Sequence, residues 1–442
     1  MEIKFLGGAR EVGRSCFLIK DKRSWLLDAG VKFGEEEQYP DITRAMLKSI
    51  NHVVLSHAHL DHSGYLPALY QKGYSGKVWC TKPTRDMIQL LLSDYLKIAN
   101  ERGNPPYGQD DLNKLLKNTE LTEFDEPAKG APELSFHHSG HILGSAMCKF
   151  DFAGGTLLYT GDFSAQESRL LEPVQTGIAA KWLITESTYG SKADKRPSQK
   201  QVTKEFIDSI KQTIDAGGKV IIPTFAVGRG QDVLFTLESH IKSGLLPKVP
   251  IYLDGMVKKA LKIYRHNAIY LKREIQRQIL TSDDDPFKSD NYRVPEKKDR
   301  SDVTQGEPCI ILATSGMMNG GPVLAYVEAL GGDAANKLLF VGYQAEGTLG
   351  RKILDGEREI ELGGKTIKLE LKIERAAFSA HADHNDLVSF ARDTPGLEKV
   401  FIVHGDESKV DELARDIELA CKKKGRKVEA FAPAAGEIVR LV

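Results

Sequence analysis

Residues 56–62 concentrate more metal-binding side chains than any other stretch of this sequence. They read Ser-His-Ala-His-Leu-Asp-His and directly follow an apolar run of strand length. His57 and His59 alternate, so an extended backbone directs both imidazoles to one side. Asp61 and His62 come where the chain is expected to turn into a helix, and there they can face a second point. Ligands of these types at this spacing suit two divalent cations of borderline softness, most naturally zinc.

Other polar residues also follow apolar runs of strand length. They are Asp28 after 25–27, Asp162 after 157–159, Glu186 after 183–184, Ser315 after 309–312 and His404 after 400–403. His141 lies between Gly140 and Gly144, which let the backbone approach closely. Functional sites of layered α/β proteins gather beyond the carboxyl ends of strands, so we expect these positions to converge. Asp162 has a further possible role, because a carboxylate can bridge two cations and an imidazole ordinarily cannot.

The composition narrows the class of protein. With 442 residues, two or three domains are expected. Lys+Arg and Asp+Glu balance at 61 each, so nucleic-acid binding would depend on a local basic patch. The five cysteines are scattered without a C-x-x-C pair, which fits a reducing cytoplasm better than a disulfide framework. The start of the chain reads as a strand rather than a signal peptide, and no apolar run has the length of a membrane span.

The pattern of predicted strands and helices changes after Ser187. The first 190 residues read as short strands with a few helices. Apolar strand-like runs then alternate with helical patterns, which predicts a parallel sheet with covering helices. The helices are expected at residues 199–216, 231–243, 256–266, 322–330 and 407–424.

These motifs resemble a known superfamily over essentially the whole chain. The order Asp28, His57-x-His59-x-Asp61-His62, His141, Asp162, His404 is similar to the metallo-β-lactamase fold. Glu186 in Thr-Glu-Ser-Thr-Tyr-Gly, His381 in Ser-Ala-His-Ala-Asp and His404 resemble the three motifs of its nucleic-acid-processing β-CASP branch. The opening segment 6–16 resembles the cleavage and polyadenylation specificity factor branch more than RNase J.

The resemblance implies an α/β fold with two domains. An αββα metallo-β-lactamase sandwich is expected from residues 1–189 plus 378–442. A β-CASP domain, a parallel sheet flanked by helices, is expected as an insertion at 190–377. The N-terminal KH domains of some archaeal relatives are expected to be absent.

The resemblance also implies the ligands of two zinc ions. One zinc is expected at His57, His59, His141 and Asp162, and the other at Asp61, His62, His404 and the same Asp162. We count Asp61 and Asp28 among the catalytic residues as well, Asp28 because it orients ligands through hydrogen bonds. The alternative for Asp28 is a cap on the turn before Gly30.

The proton donor and the substrate contacts are expected elsewhere. His381 is the candidate acid for the departing ribose oxygen, and Glu186 is expected to orient it; the alternative is a structural His–Glu pair. Turn and helix-start residues of the insertion are candidate phosphate contacts, although capping explains each equally well: Ser315, Gly316, Thr348, Arg351 and Arg229. The basic face of Lys258, Lys259, Lys262 and Arg265 is either an RNA-backbone surface or a solvated face.

Together these features predict a zinc-dependent ribonuclease that hydrolyses phosphodiester bonds by a two-metal mechanism and leaves 5′-phosphate and 3′-hydroxyl ends. Single-stranded RNA is the expected partner, in 3′-end processing, maturation or decay, with a homodimer or other RNA-processing proteins as further partners. The preference for RNA depends on His404, because DNA-processing relatives usually lack a histidine there. A non-catalytic RNA-processing scaffold, a DNA nuclease of the same fold and a small-molecule hydrolase are the alternatives. Endonuclease and 5′→3′ exonuclease modes are not separated.

Overall fold

The computed structural model describes residues 1–34, 36–281 and 285–441. The chain forms two compact units, Met1–Lys195 with Ala380–Val442 and Arg196–Ser379. Among the described residues, no helix combines the length and the apolar character that a membrane crossing requires.

In the described residues of the first part of the first unit there are eleven strands and five helices. The strands are β1 (Glu2–Gly7), β2 (Cys16–Lys20), β3 (Ser24–Leu27), β4 (His52–Val54), β5 (Lys77–Cys80), β6 (Thr119–Leu121), β7 (Pro127–Ala128), β8 (Ala131–His138), β9 (Ala146–Phe152), β10 (Gly155–Tyr159) and β11 (Trp182–Thr185). The helices are α1 (Arg44–Leu47), α2 (Leu60–Ser63), α3 (Leu66–Gln71), α4 (Lys82–Glu101) and α5 (Gln109–Lys117).

The second unit alternates strands and helices along its described residues. Its strands are β12 (Val220–Pro223), β13 (Ile251–Asp254), β14 (Tyr292–Arg293), β15 (Ile310–Ala313), β16 (Lys337–Phe340), β17 (Glu359–Leu362), β18 (Lys365–Lys368) and β19 (Lys372–Arg375). Its helices are α6 (Gln199–Asp215), α7 (Arg229–Lys242), α8 (Val257–His266), α9 (Arg273–Thr281), α10 (Ser301–Thr304), α11 (Pro322–Leu330) and α12 (Leu349–Leu354), with a short 3-10 helix at Ala268–Tyr270.

The chain then returns to the first unit. This last part contributes α13 (His384–Asp393), β20 (Lys399–Ile402), α14 (Glu407–Lys423), β21 (Glu429–Phe431) and β22 (Ile438–Arg440).

Two seven-stranded sheets pack face to face in the first unit. Their strand orders are β22-β1-β2-β3-β4-β5-β6 and β21-β20-β11-β10-β9-β8-β7. Aromatic rings join them, with centroids 5.8 Å apart for Phe5 and Phe401 and 5.2 Å apart for Trp25 and Phe150. α13 and α14 share a buried apolar cluster with β11 and β20, while α4 contacts α5 and β6. The predicted αββα sandwich is confirmed.

The second unit is built on a six-stranded sheet in the order β14-β13-β15-β12-β16-β19. Every pairing within it is parallel. The central strands β12, β15 and β16 are buried along their whole length, which explains why all their residues except Lys337 are apolar. The parallel sheet predicted from the alternation of strands and helices is confirmed.

Gly30 allows the close approach that holds α2 in place. The backbone N–H groups of Ala29 and Val31 donate to the carbonyl oxygens of His62 and Leu60, at 2.8 and 2.9 Å. A Cβ atom on Gly30 would lie only 1.7 Å from the carbonyl oxygen of Asp61. A side chain at position 30 is therefore incompatible with this position of α2.

We expect Gly30→Ala to destabilise the first unit by about 3 kcal/mol or more, because backbone rather than a flexible side chain must move. Urea denaturation measures the loss. Gly332→Ala is the control, since apart from its own chain neighbours no described atom lies within 4 Å of its added Cβ. Equal stability of the two variants would contradict the close approach.

Candidate metal centre

The strand ends of the first unit bring the candidate ligands together. β3 and β4 are parallel neighbours in one sheet, so Asp28 and His57 leave the same edge. β10, β11 and β20 are parallel neighbours in the other, so Asp162, Glu186 and His404 do likewise. Because the sheets face each other, the residues that follow these strands meet at one end of the sandwich.

The first ligand group contains His57, His59, His141 and Asp162, whose ligand atoms lie within 4.8 Å of one another. Oδ2 of Asp162 is 3.6 Å from Nε2 of His57 and 3.8 Å from Nε2 of His141. Nε2 of His141 is 3.1 Å from Nδ1 of His59. Nδ1–H of His141 donates to the carbonyl oxygen of Ala380 at 2.8 Å, which directs Nε2 towards the group.

The second ligand group contains Asp61, His62, His404 and again Asp162. Here the other carboxylate oxygen of Asp162 is involved, since Oδ1 lies 3.3 Å from Nε2 of His62 and 4.0 Å from Nε2 of His404. Nε2 of His404 also lies 3.6 Å from Oδ2 of Asp61. Asp162 therefore presents one oxygen to each group.

Atoms at the centre of these groups are buried without conventional partners. Nε2 of His57, Nε2 of His62 and Oδ1 of Asp162 have no hydrogen-bond partner within the described ranges of the chain. Buried polar atoms are normally satisfied, so this pattern fits atoms that bind a metal better than it fits ordinary packing. Imidazole and carboxylate donors in groups of four fit a divalent metal ion. The cluster could hold metal.

Burial keeps the imidazoles of the first group neutral. It lowers the pKa of three histidines below the ordinary value: His57, His59 and His141. Only a neutral imidazole can coordinate a metal, so these side chains are in the ligand form at neutral pH.

Charge complementarity dominates at Asp162. Burial alone raises the pKa of Asp162, but the imidazoles of His404, His62 and His57 outweigh it and hold that pKa well below its usual range. Burial likewise lowers the pKa of His62, but the carboxylates of Asp162 and Asp28 outweigh it and raise that pKa well above the ordinary value. A metal at the second group must therefore displace a proton from His62.

Asp28 lies completely buried behind the second group. Its carboxylate accepts hydrogen bonds from the backbone N–H of Ser56 at 2.8 Å, Oγ of Ser56 at 2.7 Å and the hydroxyl of Tyr159 at 2.6 Å. Nδ1–H of His62 donates to it at 2.7 Å. Asp28 therefore orients the candidate ligand His62. A residue that capped the turn before Gly30 would instead accept from the backbone N–H groups of that turn.

We expect Asp28→Ala to destabilise the protein by about 3–5 kcal/mol, because it leaves the buried donors of Ser56, Tyr159 and His62 without their shared acceptor. Urea denaturation monitored by circular dichroism measures the change. Asp125→Ala is the control, because the exposed Asp125 carboxylate accepts from His137 alone among the described residues. A cost below about 1 kcal/mol for Asp28→Ala would contradict the role given to this network.

Two buried serines were not singled out by sequence reasoning. Oγ of Ser15 lies 2.7 Å from Nδ1 of His404, and Oγ of Ser56 lies 3.1 Å from Nδ1 of His57. Both fix imidazole orientation. Ser56 is the first residue of the stretch 56–62, which is a usable signal. Ser15 is separated from His404 by 389 positions, and only the fold pairs them.

Glu186 and His381 lie beside the first group. Nδ1–H of His381 donates to the Glu186 carboxylate, with distances of 3.0 and 3.1 Å to its two oxygens. Glu186 is held in turn by the backbone N–H of Phe163 at 2.8 Å. The His381 ring lies 4.6 Å from the ring of His141, and its side chain is 18% exposed. With Asp162 these two residues form a third group that could hold a metal.

The five candidate substrate contacts lie in the second unit, where their contacts are turn and cap hydrogen bonds, ion pairs and a cation–ring contact. Oγ of Ser315 donates to the carbonyl of Gly320, and Gln344 donates to the carbonyl of Gly316. Oγ1 of Thr348 caps α12 by accepting from the N–H of Arg351. The Arg351 guanidinium pairs with Asp355 at 2.8 Å, and that of Arg229 lies over the Phe378 ring.

Three protein-family descriptions match successive segments of the chain. The metallo-beta-lactamase superfamily matches residues 9–211, the Beta-Casp domain residues 230–353 and the Zn-dependent metallo-hydrolase RNA specificity domain residues 366–433. Transcription termination factor FttA from Methanosarcina mazei is 39% identical over 100% of this chain and 72% of that protein. The chain belongs to the β-CASP family of metallo-β-lactamase proteins.

Other relatives agree with this placement. An RNase J-like protein from Methanocaldococcus jannaschii is 37% identical over 99% of both chains. A solved protein of unknown function from Enterococcus faecalis V583 has a TM-score of 0.57 at 13% identity, covering 100% of this chain and 99% of that chain; it shows the fold alone. The family predicted from the sequence motifs is confirmed, and this β-CASP chain has the fold of metallo-hydrolases.

Proposed function

We propose that this β-CASP protein is a zinc-dependent ribonuclease that binds two zinc ions per chain. The observation that carries the proposal is the position of Asp162, whose two carboxylate oxygens face two separate ligand groups. Two divalent cations bound there supply Lewis-acid activation of water and charge stabilisation at phosphorus.

The protein's own residues complete the chemistry. The Nδ1–H of His381 donates a hydrogen bond to Glu186. The proton on Nε2 of the same ring is then transferred to the departing ribose 3′ oxygen. The negative charge of Glu186 stabilises the protonated imidazole. The backbone N–H of Phe163 holds the carboxylate in position. Asp28, Ser15 and Ser56 orient the ligands. The products are a 5′-phosphate and a 3′-hydroxyl.

RNA is the proposed substrate because a matching family carries RNA specificity in its description and one relative is named RNase J-like. The relatives named transcription termination factors favour RNA 3′-end formation as the setting. The candidate substrate contacts are proposed to hold phosphates: Ser315, Gly316, Thr348, Arg351 and Arg229. We also propose residues 190–377 as the β-CASP domain, within a metallo-β-lactamase domain of residues 1–189 and 378–442.

One incubation tests the proposal. The protein is given 5′-labelled and 3′-labelled single-stranded RNA, with zinc and with chelator, beside single-stranded DNA of the same sequence. Zinc-dependent cleavage of RNA supports the proposal; internal fragments identify an endonuclease and released mononucleotides a 5′→3′ exonuclease. No cleavage by folded, zinc-loaded protein would overturn it and favour a binding scaffold, and cleavage of DNA alone would favour a DNA nuclease.

A further inference from the structure

Basic side chains on several helices of this protein are neutralised one turn away. Lys82 pairs with Asp86 at 2.9 Å, Lys204 with Asp208 at 2.8 Å and Lys242 with Glu238 at 3.8 Å. Such i,i+4 pairs cancel local charge, in keeping with the formal net charge of zero. A helix whose basic side chains have no acidic side chain one turn away therefore differs from these helices.

α8 carries an uncompensated basic face. Its ten residues contain no acidic side chain, and Val257, Ala260, Leu261 and Tyr264 form its buried face. The opposite face exposes three lysines: Lys258, Lys259 and Lys262. Within the described part of the chain, none of the three has an ion-pair partner. Arg265, by contrast, pairs with Asp285 and does not belong to this free face.

The position of these lysines costs local stability. Lys258 and Lys259 lie in the first turn of α8, where the helix dipole is positive and favours acidic side chains. In α14 the lysines Lys422 and Lys423 lie in the last turn, where the dipole favours them. The sequence of α8 thus places cations where helix formation disfavours them, which indicates a role outside folding.

We propose that this lysine face of α8 binds the phosphodiester backbone of the RNA substrate without reading its bases. Lysine ammonium groups act as point charges, which suits repeated phosphates, and contacts to phosphates position a strand without reading its sequence. Within α8 the aromatic side chain, Tyr264, is buried, so the face lacks the aromatic anchor typical of protein interfaces. This inference rests on RNA being the substrate, and adds a docking surface within the second unit.

The test is a binding measurement in chelator, where metal-dependent cleavage cannot occur. Fluorescence anisotropy with labelled single-stranded RNA compares the wild type with the triple variant K258E/K259E/K262E. We expect affinity to fall about tenfold or more, and the slope of log K against log salt to become shallower by about 2, which is roughly 0.7 for each lost lysine contact. The control K422E/K423E/K427E makes the same charge change on and beyond α14, and should lose much less affinity.

Stability distinguishes lost binding from lost structure. Glutamates in the first turn of α8 favour the helix, so the urea midpoint of K258E/K259E/K262E should not fall. If it falls, K258Q/K259Q/K262Q replaces it as the test variant and must weaken RNA binding as well.

An unchanged salt slope, equal losses in both triple-glutamate variants, or no RNA binding by the wild type would overturn the inference. Binding of polyglutamate as tightly as RNA would assign the face to an acidic protein instead. If the wild type binds RNA but never cleaves it, and the α8 variant loses that binding, the RNA-binding role of α8 is supported and the proposed nuclease activity is rejected.

Discussion

Replacing Asp162 with alanine is expected to remove metal from both ligand groups at once. Its Oδ2 faces His57 and His141 while its Oδ1 faces His62 and His404, so no other described residue serves both groups. The variant also leaves neighbouring buried imidazoles without their shared negative charge. Cleavage should fall by more than the ~10–100-fold that loss of an outer-sphere partner costs.

Metal analysis by mass spectrometry measures this result directly, alongside RNA cleavage and circular dichroism. Asp151→Ala is the matched control, because Asp151 is an exposed carboxylate of the same unit that accepts from Lys149 and Thr156. It should keep its metal and its activity. If Asp162→Ala lost one equivalent and retained the other at wild-type affinity, the shared role of this carboxylate would be wrong.

Replacing His381 with alanine is expected to slow cleavage by about 10²–10⁴-fold while the metal content stays unchanged. The imidazole lies beside the first ligand group and is held by Glu186 at 3.0 Å, which supports the acid role proposed for it. Glu186→Gln should act in the same direction with a smaller effect, because the amide still accepts from Nδ1–H but no longer stabilises the protonated ring.

Single-turnover cleavage rates over a range of pH measure the effect, together with metal content. The alkaline limb of the wild-type profile should disappear in His381→Ala, because the acid that loses its proton is gone. His137→Ala is the control, since His137 pairs with Asp125 away from both ligand groups. Loss of metal from His381→Ala would assign His381 to the third group as a ligand.

Local patterns in the sequence predicted several helices of the second unit closely. Residues 199–216 were expected as a helix and form α6 (Gln199–Asp215), and residues 322–330 form α11 (Pro322–Leu330). Helix periodicity and terminal residues lie within one element, so a short window contains the information. The parallel sheet followed from the order of these elements.

The family motifs named the residues that the structure brings together, but not their atomic relations. Neither Ser15 against His404 nor Tyr159 against Asp28 could be read from spacing. These pairs join different strands, and their register depends on how the two sheets pack. The motifs also do not separate a phosphate contact from a structural role at Arg351 and Thr348, where the structure shows an ion pair and a helix cap.

The residue types and their spacing were enough to predict the seven candidate ligands, the candidate acid with its carboxylate partner, and the strands that most of these residues follow. Residue types and their spacing along one segment are local properties, and a histidine keeps its coordination chemistry wherever the chain carries it. That Oδ1 and Oδ2 of Asp162 face different groups, and that Asp28 accepts a hydrogen bond from His62, is visible in the folded protein alone. Side-chain direction at a strand end depends on neighbours distant in sequence, because packing and buried hydrogen bonds select it.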